Sequence, residues 1–220
     1  MSASADPRSP DAPRPARRGR PTDHSGEDTR AAILAAAQRL FGEAGYDGVS
    51  MDALARNCGL NARALYYHFA SKRDLFDAAA DDAFARFGHE VVERVFRHES
   101  AADRVRGYVD VYRSLHRSDP HLLSFIGMVL LDALSNDARG RSRPVPERGE
   151  VLRRFLESVV DDAIARGEVS GDADRDGLVL LMTSLGMGLS LASLDGGEAF
   201  PAMLDGLDRL ADGTLLNRSD

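Results

Sequence analysis

From about Thr29 onward, apolar residues recur at helical spacing. Ile33, Ala37, Leu40, Phe41 and Ala44 share one face of a first helix, and Gly45 ends it. Asp47-Gly48 turns the chain. Ser50 is placed to cap a short second helix, whose inner face is Met51, Leu54, Ala55 and Cys58 before Gly59 stops it. A third helix follows almost at once, with Leu65 and Phe69 as its inward pair. Ser71 then caps a long fourth helix with the stripe Phe76, Ala80, Phe84, Phe87, Val91 and Val95. Beyond His98 the same period predicts a helix through Val105, Tyr108, Val109, Tyr112 and Leu115, and a more apolar one from Leu122 to Leu134. A charged, proline-containing loop is expected over 137–149. Three more helices carry Leu152, Phe155, Leu156, Val159 and Ala163 up to Gly167; Leu178 to Leu194; and Phe200, Met203, Leu204, Leu207 and Leu210. No stretch alternates as a strand, so the expectation is an all-α chain.

Proline placement divides this pattern. Five of the nine prolines fall in the first 21 residues, among Ser, Ala, Asp and Arg, and none occurs from residue 22 to 119. Residues 1–28 are therefore expected to form a disordered basic arm, residues 29–76 a compact helical unit, and residues 77–220 a larger helical domain. Charge follows a similar division. The chain carries a net −7, yet its first 21 residues hold five arginines against two aspartates, while the acidic excess lies beyond residue 76. A basic N-terminal part suits a polyanion, and the acidic remainder suits another role.

Other classes recede on specific grounds. One cysteine, Cys58, excludes a disulfide framework and a Cys-based zinc site, and fits a reducing cytoplasm. The N-terminus offers no apolar core for a signal peptide. Gly177 to Leu194 runs without charge for 18 residues, but its Thr, Ser and Gly content suits close helix packing better than a membrane span. Catalysis is not expected. There is no metal-spaced His/Glu pair, no Gly-x-Ser-x-Gly and no phosphate loop, and adjacent Asp161 and Asp162 point to different helix faces. No cofactor or metal is implied.

Two short helices joined by a tight Gly-containing turn meet the physical specification of a helix-turn-helix, in which the second helix enters the DNA major groove. Ala55 is small where the helices touch, Gly59 supplies the left-handed turn residue, and Leu60 and Leu65 anchor the turn and the second helix. The stretch AAILAAAQRLFGEAGYDGVSMDALARNCGLNARALYYHFASKRDLF, within about residues 29–77, resembles the DNA-binding domain of TetR-family bacterial regulators. The Gly45-Tyr46 corner, the Leu54-Ala55 pair, Gly59-Leu60, the run Leu65 to Phe69 and Ser71-Lys72 carry that resemblance.

The resemblance implies an N-terminal three-helix DNA-binding domain and a C-terminal helical ligand-binding and dimerisation domain. Asn61, Ala62, Arg63 and Ala64 would read base edges, with Arg63 placed for a bidentate guanine contact. Tyr66, Tyr67, His68 and Lys72 would hold phosphates, with a structural histidine as the lesser reading of His68. Ser50 would add a phosphate contact or act only as a cap. Asn61 stands where Ser is common, and Ala62-Arg63-Ala64 replaces a Thr-containing run, so no operator sequence carries over.

In the arm, Arg17 to Pro21 reads RRGRP. It resembles the core of an AT-hook, with Arg18 and Arg20 set for the minor groove; a solvated Arg-rich linker is the other reading. The implied assembly is a homodimer on a palindromic double-stranded operator, formed by the helix near Leu152 to Arg166 and the Gly177 to Leu194 helix. The implied effector is a small molecule. Tyr108, Tyr112, His116, Phe125, Met128, Met182 and Met187 are its candidate lining, an apolar set suited to a lipophilic ligand, and each also suits core packing. The expected function is a ligand-released repressor. The alternative is a helix-turn-helix regulator whose C-terminal domain only dimerises or docks a protein.

Overall fold

A computed structural model describes residues 24–137, 150–195, 197 and 199–212. Among these the chain is helical throughout: α1 (His24–Gly48), α2 (Met51–Asn57), α3 (Ala62–His68), α4 (Lys72–Val95), α5 (Ala101–Ser118), α6 (Pro120–Asp137), α7 (Glu150–Ala165), α8 (Arg175–Ala192) and α9 (Ala199–Ala211), with one 3-10 turn at Ser193–Asp195. Residues 1–23, which include Arg18 and Arg20, and all but the first residue of the expected loop over 137–149 lie outside the described residues.

Local chemistry sets most boundaries. Ser50, Asn61, Ser71, Ser100 and Asp174 each turn a side-chain oxygen onto a backbone N–H of the first helical turn, satisfying donors that the helix itself leaves open. Pro120 opens α6, where a missing N–H does no harm. Gly45 has φ 71 and breaks the helical conformation inside α1, as its sequence position predicts. The start of α1 corrects the sequence reading: the helix is already formed at His24, five residues before Thr29, because polar residues with no apolar period can still extend a helix nucleated downstream.

One continuous core runs from Ile33 on α1 to Leu204 on α9. In the N-terminal unit Ile33, Ala37, Phe41, Leu54, Leu65 and Phe69 close around the turn, and Leu65 at 0 % exposure contributes about 1.5–3 kcal/mol by burial alone. The long α4 carries this core onward through Phe76, Ala80, Phe87, Val91 and Val95, with Phe84 half-buried. α6 is the central element. It packs on α1 and α4 on one side and on α8 and α5 on others, while α7 lies beside α8 and α9 lies on α5.

Three further faces depart from the pattern. Cys58 is half-buried because it sits at the helix end, where the turn peels away from the core. On α9 Phe200 and Leu204 are buried where it packs on α5, while Met203 and Leu210 are exposed. On α5, Val105 is half-buried, while Tyr108, Val109, Tyr112 and Leu115 are in the core. Among the described residues no helix is long and apolar enough to cross a membrane.

Candidate nucleic-acid interface and effector region

The turn between α2 and α3 is fixed by backbone bonds. The Gly59 N–H donates to the Arg56 carbonyl at 3.1 Å, and the Leu60 N–H to the Ala55 carbonyl at 2.8 Å. This paired closure needs a left-handed residue, which Gly59 supplies with φ 67. Asn61 then starts α3 by accepting from the Ala64 N–H at 2.8 Å through Oδ1. That bond commits the Asn61 carbonyl to the cap and leaves only its amide donors for a base edge. Ser50 accepts from the Ala53 N–H at 3.1 Å, so its hydroxyl likewise serves the cap of α2.

The outward face of α3 is aromatic and cationic. Tyr67 is 88 % exposed and Tyr66 50 %. Arg63 is exposed and has no ion pair with any described residue. Ala62, Ala64 and His68 are half-buried, with the His68 ring 5.5 Å from that of Tyr67. Rings this wet earn nothing from the fold and suit a partner that arrives later.

Two cations flank the helix. At the start of α4, Lys72 places Nζ 4.4 Å from the centre of the Tyr46 ring, while its neighbour Arg73 is engaged by Asp77 at 2.9 Å and lies 3.9 Å from Asp132. On α1, Arg30 stacks 5.2 Å over Phe69, the residue that ends α3. Sequence reading missed Arg30 and Tyr46 as parts of this surface. Their contacts are between distant residues, and no local spacing announces them.

In the larger domain, Tyr108 and Tyr112 lie one turn apart on α5, both fully buried, with hydroxyls 3.5 Å apart. The Tyr112 hydroxyl donates to the Gly186 carbonyl at 2.9 Å and lies 3.2 Å from Ser190 Oγ. Burial disfavours the phenolates, holding Tyr108 well above the ordinary tyrosine range and raising Tyr112 to about 12. Phe87 of α4 meets the Tyr112 ring at 5.2 Å.

Other candidate lining residues are elsewhere. Phe125 sits between Phe41 and Phe76 at 6.3 and 5.7 Å, in the joint with the N-terminal unit, and His116 rests 5.0 Å from Phe200 under α9. Met128 is in the core on α6, and Met182 and Met187 are half-buried on α8, the helix that Tyr112 touches. On that helix Leu180 and Leu181 are 66 % and 64 % exposed, with Ser184 and Gly188 continuing the exposed line at helical spacing.

Comparison with known proteins matches this arrangement. Residues 33–79 match the family described as bacterial regulatory proteins, tetR family. The HTH-type transcriptional repressor AcnR of Corynebacterium diphtheriae is 30 % identical over 163 residues, covering 66 % of this chain and 84 % of that repressor. Among solved structures, a TetR transcriptional regulator from Chloroflexus aurantiacus superimposes with a TM-score of 0.66 at 25 % identity, over 87 % of this chain and 94 % of that one. The transcriptional regulator FadR from Bacillus subtilis, solved with stearoyl-CoA, shares the fold with a TM-score of 0.64 at 16 % identity, over 84 % and 99 % of the two chains. With its capped helix-turn-helix, its exposed α3 and this similarity over 66 % of its length, the chain belongs to the TetR family of bacterial regulatory proteins and is a helix-turn-helix transcriptional regulator.

Proposed function

We propose that the chain is a cytoplasmic repressor that binds a palindromic operator as a homodimer and leaves it when a small lipophilic molecule binds the larger domain. The observation that carries the DNA half is the outward face of α3, where Arg63 is exposed without an ion-pair partner among the described residues and Tyr67 is 88 % exposed. Arg63 reads a guanine edge, the Asn61 amide donors reach a neighbouring base, and Tyr66, Tyr67, His68 and Lys72 hold phosphates. Arg30, stacked at the end of α3, joins them as a phosphate contact.

Dimerisation is supported by the exposed Leu180 and Leu181 line on α8, with α7 beside it. A two-fold pair presents two recognition helices to successive major grooves, about 34–36 Å apart. The effector half is supported by the buried, uncharged hydroxyls of Tyr108 and Tyr112 between α5 and α8, and by the acyl-CoA bound in the FadR neighbour. A ligand-independent dimerisation or docking domain is the second reading. It is favoured by the close seat of Tyr108 on Gly186, where an added Cβ would collide with the phenol oxygen.

The test is salt-resolved binding to duplexes selected from a random library, against unselected duplex, repeated with a panel of lipophilic compounds. Specific binding that one compound abolishes supports the effector-controlled repressor. Specific binding that none changes supports the second reading, and equal binding to all DNA contradicts both.

A further inference from the structure

The sequence leaves Arg17 to Pro21 with two readings, a minor-groove contact or a solvated linker, and the placement of α1 favours the first. Arg14, Arg17, Arg18 and Arg20 fall within residues 12–22, which carry no carboxylate, so the positive charge of the arm is concentrated just ahead of the first helix. Pro13, Pro15 and Pro21 fix their own backbone and push the residue before each toward an extended conformation. Gly19, between Arg18 and Arg20, carries no side chain. An extended Arg-Gly-Arg can lay its bare backbone on a groove floor with a guanidinium on either side.

The root of this arm lies beside the recognition helix. Arg30 of α1 stacks 5.2 Å over Phe69, the residue that ends α3. His24 opens α1 only about 9 Å of helix rise before Arg30. Residues 26–28 and 30–32 are exposed, and the first buried side chain among the described residues is that of Ile33. The leading turns of α1 therefore overhang the core alongside the end of α3. Glu27 and Asp28 suit the start of a helix but repel phosphate, so the overhang is a spacer for what precedes it.

What adjoins that root follows from the groove geometry of a duplex. Tyr67, His68 and Lys72, at the end of α3 and the start of α4, are the proposed phosphate contacts, and they mark the strand that bounds the major groove. The same strand is a wall of the adjoining minor groove. Arg20 stands four residues before His24, a reach of at most about 14 Å of extended chain, enough to cross one phosphate strand into a groove about 6 Å wide.

We propose that Arg18 and Arg20 form a second DNA-binding site, which enters the minor groove of A·T base pairs beside the half-site read by α3. This rests on the DNA half of the proposed function and is independent of its effector half. The preference for A·T has two physical sources: A·T tracts narrow the minor groove and deepen its negative potential, and guanine alone puts an amino group on the groove floor. In a homodimer each protomer brings one arm. The operator then gains an A·T preference at two symmetric positions that α3 never touches.

The test compares the full chain with a double variant, Arg18→Gln and Arg20→Gln, whose thermal unfolding should match that of the parent. A duplex core selected from a random library is held fixed while the base pairs adjoining its half-sites are made A·T, G·C or inosine·C. Inosine lacks the guanine amino group, so inosine·C resembles A·T in the minor groove and G·C in the major groove. The parent is expected to bind A·T and inosine·C duplexes alike, and about tenfold more tightly than G·C duplexes. The double variant is expected to lose that preference, to keep its preference for the selected core, and to flatten the slope of log affinity against log salt by about 0.9 for each arginine removed. Equal affinity of the parent for A·T and G·C duplexes overturns the proposal, as does a preference that survives in the double variant or an inosine·C duplex that behaves as G·C. An equal loss on every duplex makes the two arginines a solvated basic linker and overturns it too. If selection returns no common core the operator reading fails, while the same comparison around an arbitrary core still decides the arm.

Discussion

The surroundings of α3 and the α5 face of the larger domain treat their arginines in opposite ways, although Arg73 at the start of α4 is paired with Asp77. On α5, Arg113 is shared by Asp110, Asp205 and Asp208, Arg106 is held by Asp103 and Asp212, and the buried Arg104 meets Asp162 at 2.9 Å. Arg175 is clasped by Asp161. Around α3 the pattern reverses: Arg63 has no such partner among the described residues, and Arg30 and Lys72 rest on aromatic faces. A guanidinium already paired with carboxylates gains little from a phosphate, while one stacked on a ring keeps its donors available. A chain of net charge −7 can therefore serve DNA, because its cations are zoned rather than numerous.

The largest expected effect probes the seam between the two regions. Phe125→Ala removes the ring wedged between Phe41 and Phe76 and is expected to lower stability by about 3–5 kcal/mol in denaturant unfolding. A loss under about 1 kcal/mol would show that Phe125 faces a ligand space rather than the seam. Arg63→Ala is expected to cost about 1–3 kcal/mol at one base pair of a selected duplex, with unfolding unchanged. Equal losses on selected and unselected DNA would remove Arg63 from base reading.

Asn61→Ala removes the α3 cap and is expected to cost about 1 kcal/mol of stability, which Asn61→Asp restores by offering the same oxygen. If Asn61→Ala leaves stability unchanged, the cap is not what holds Asn61. The buried phenols give the larger domain its own signature. Tyr112 has a folded pKa raised from 10.0 to about 12, so its contribution to stability is fully present below pH 10 and is lost as pH rises through about 12. Denaturant midpoints of the parent should fall across that window more steeply than those of Tyr112→Phe, and identical slopes would contradict the burial. Lys72→Ala is the mildest change: the slope of log affinity against log salt should flatten by about 0.9 per site, alike for all sequences.

How legible each region was in the sequence follows from the range of its contacts. The N-terminal unit is built from caps and turns within a few residues: Ser50 to Ala53, Asn61 to Ala64, Ser71 to Asp74, and Gly45 and Gly59 with positive φ. Residue type and spacing announce these. The departures come from tertiary geometry. Arg30 owes its place to Phe69, far along the chain. In the larger domain, helix periods located the inward face of α5, but not which cavity or seam that face meets. Phe125 and Tyr112 have equal apolar credentials, and only the crossing of α6 with α1 sends Phe125 to the seam. The hydrogen bonds of the buried Gln38 to Ala79, Asp82 and Arg86 were invisible because a lone glutamine at a helical position is usually solvated.

The zoning of cations is tested most directly by the salt dependence of DNA binding. Log affinity for a selected duplex should be measured against log salt for the parent chain and for a variant with Arg30, Arg63 and Lys72 changed to glutamine. The account predicts a slope flatter by about 0.9 for each phosphate contact removed, with the paired arginines of α5 left intact. An unchanged slope in that variant would contradict it, placing the phosphate contacts on some other part of the chain.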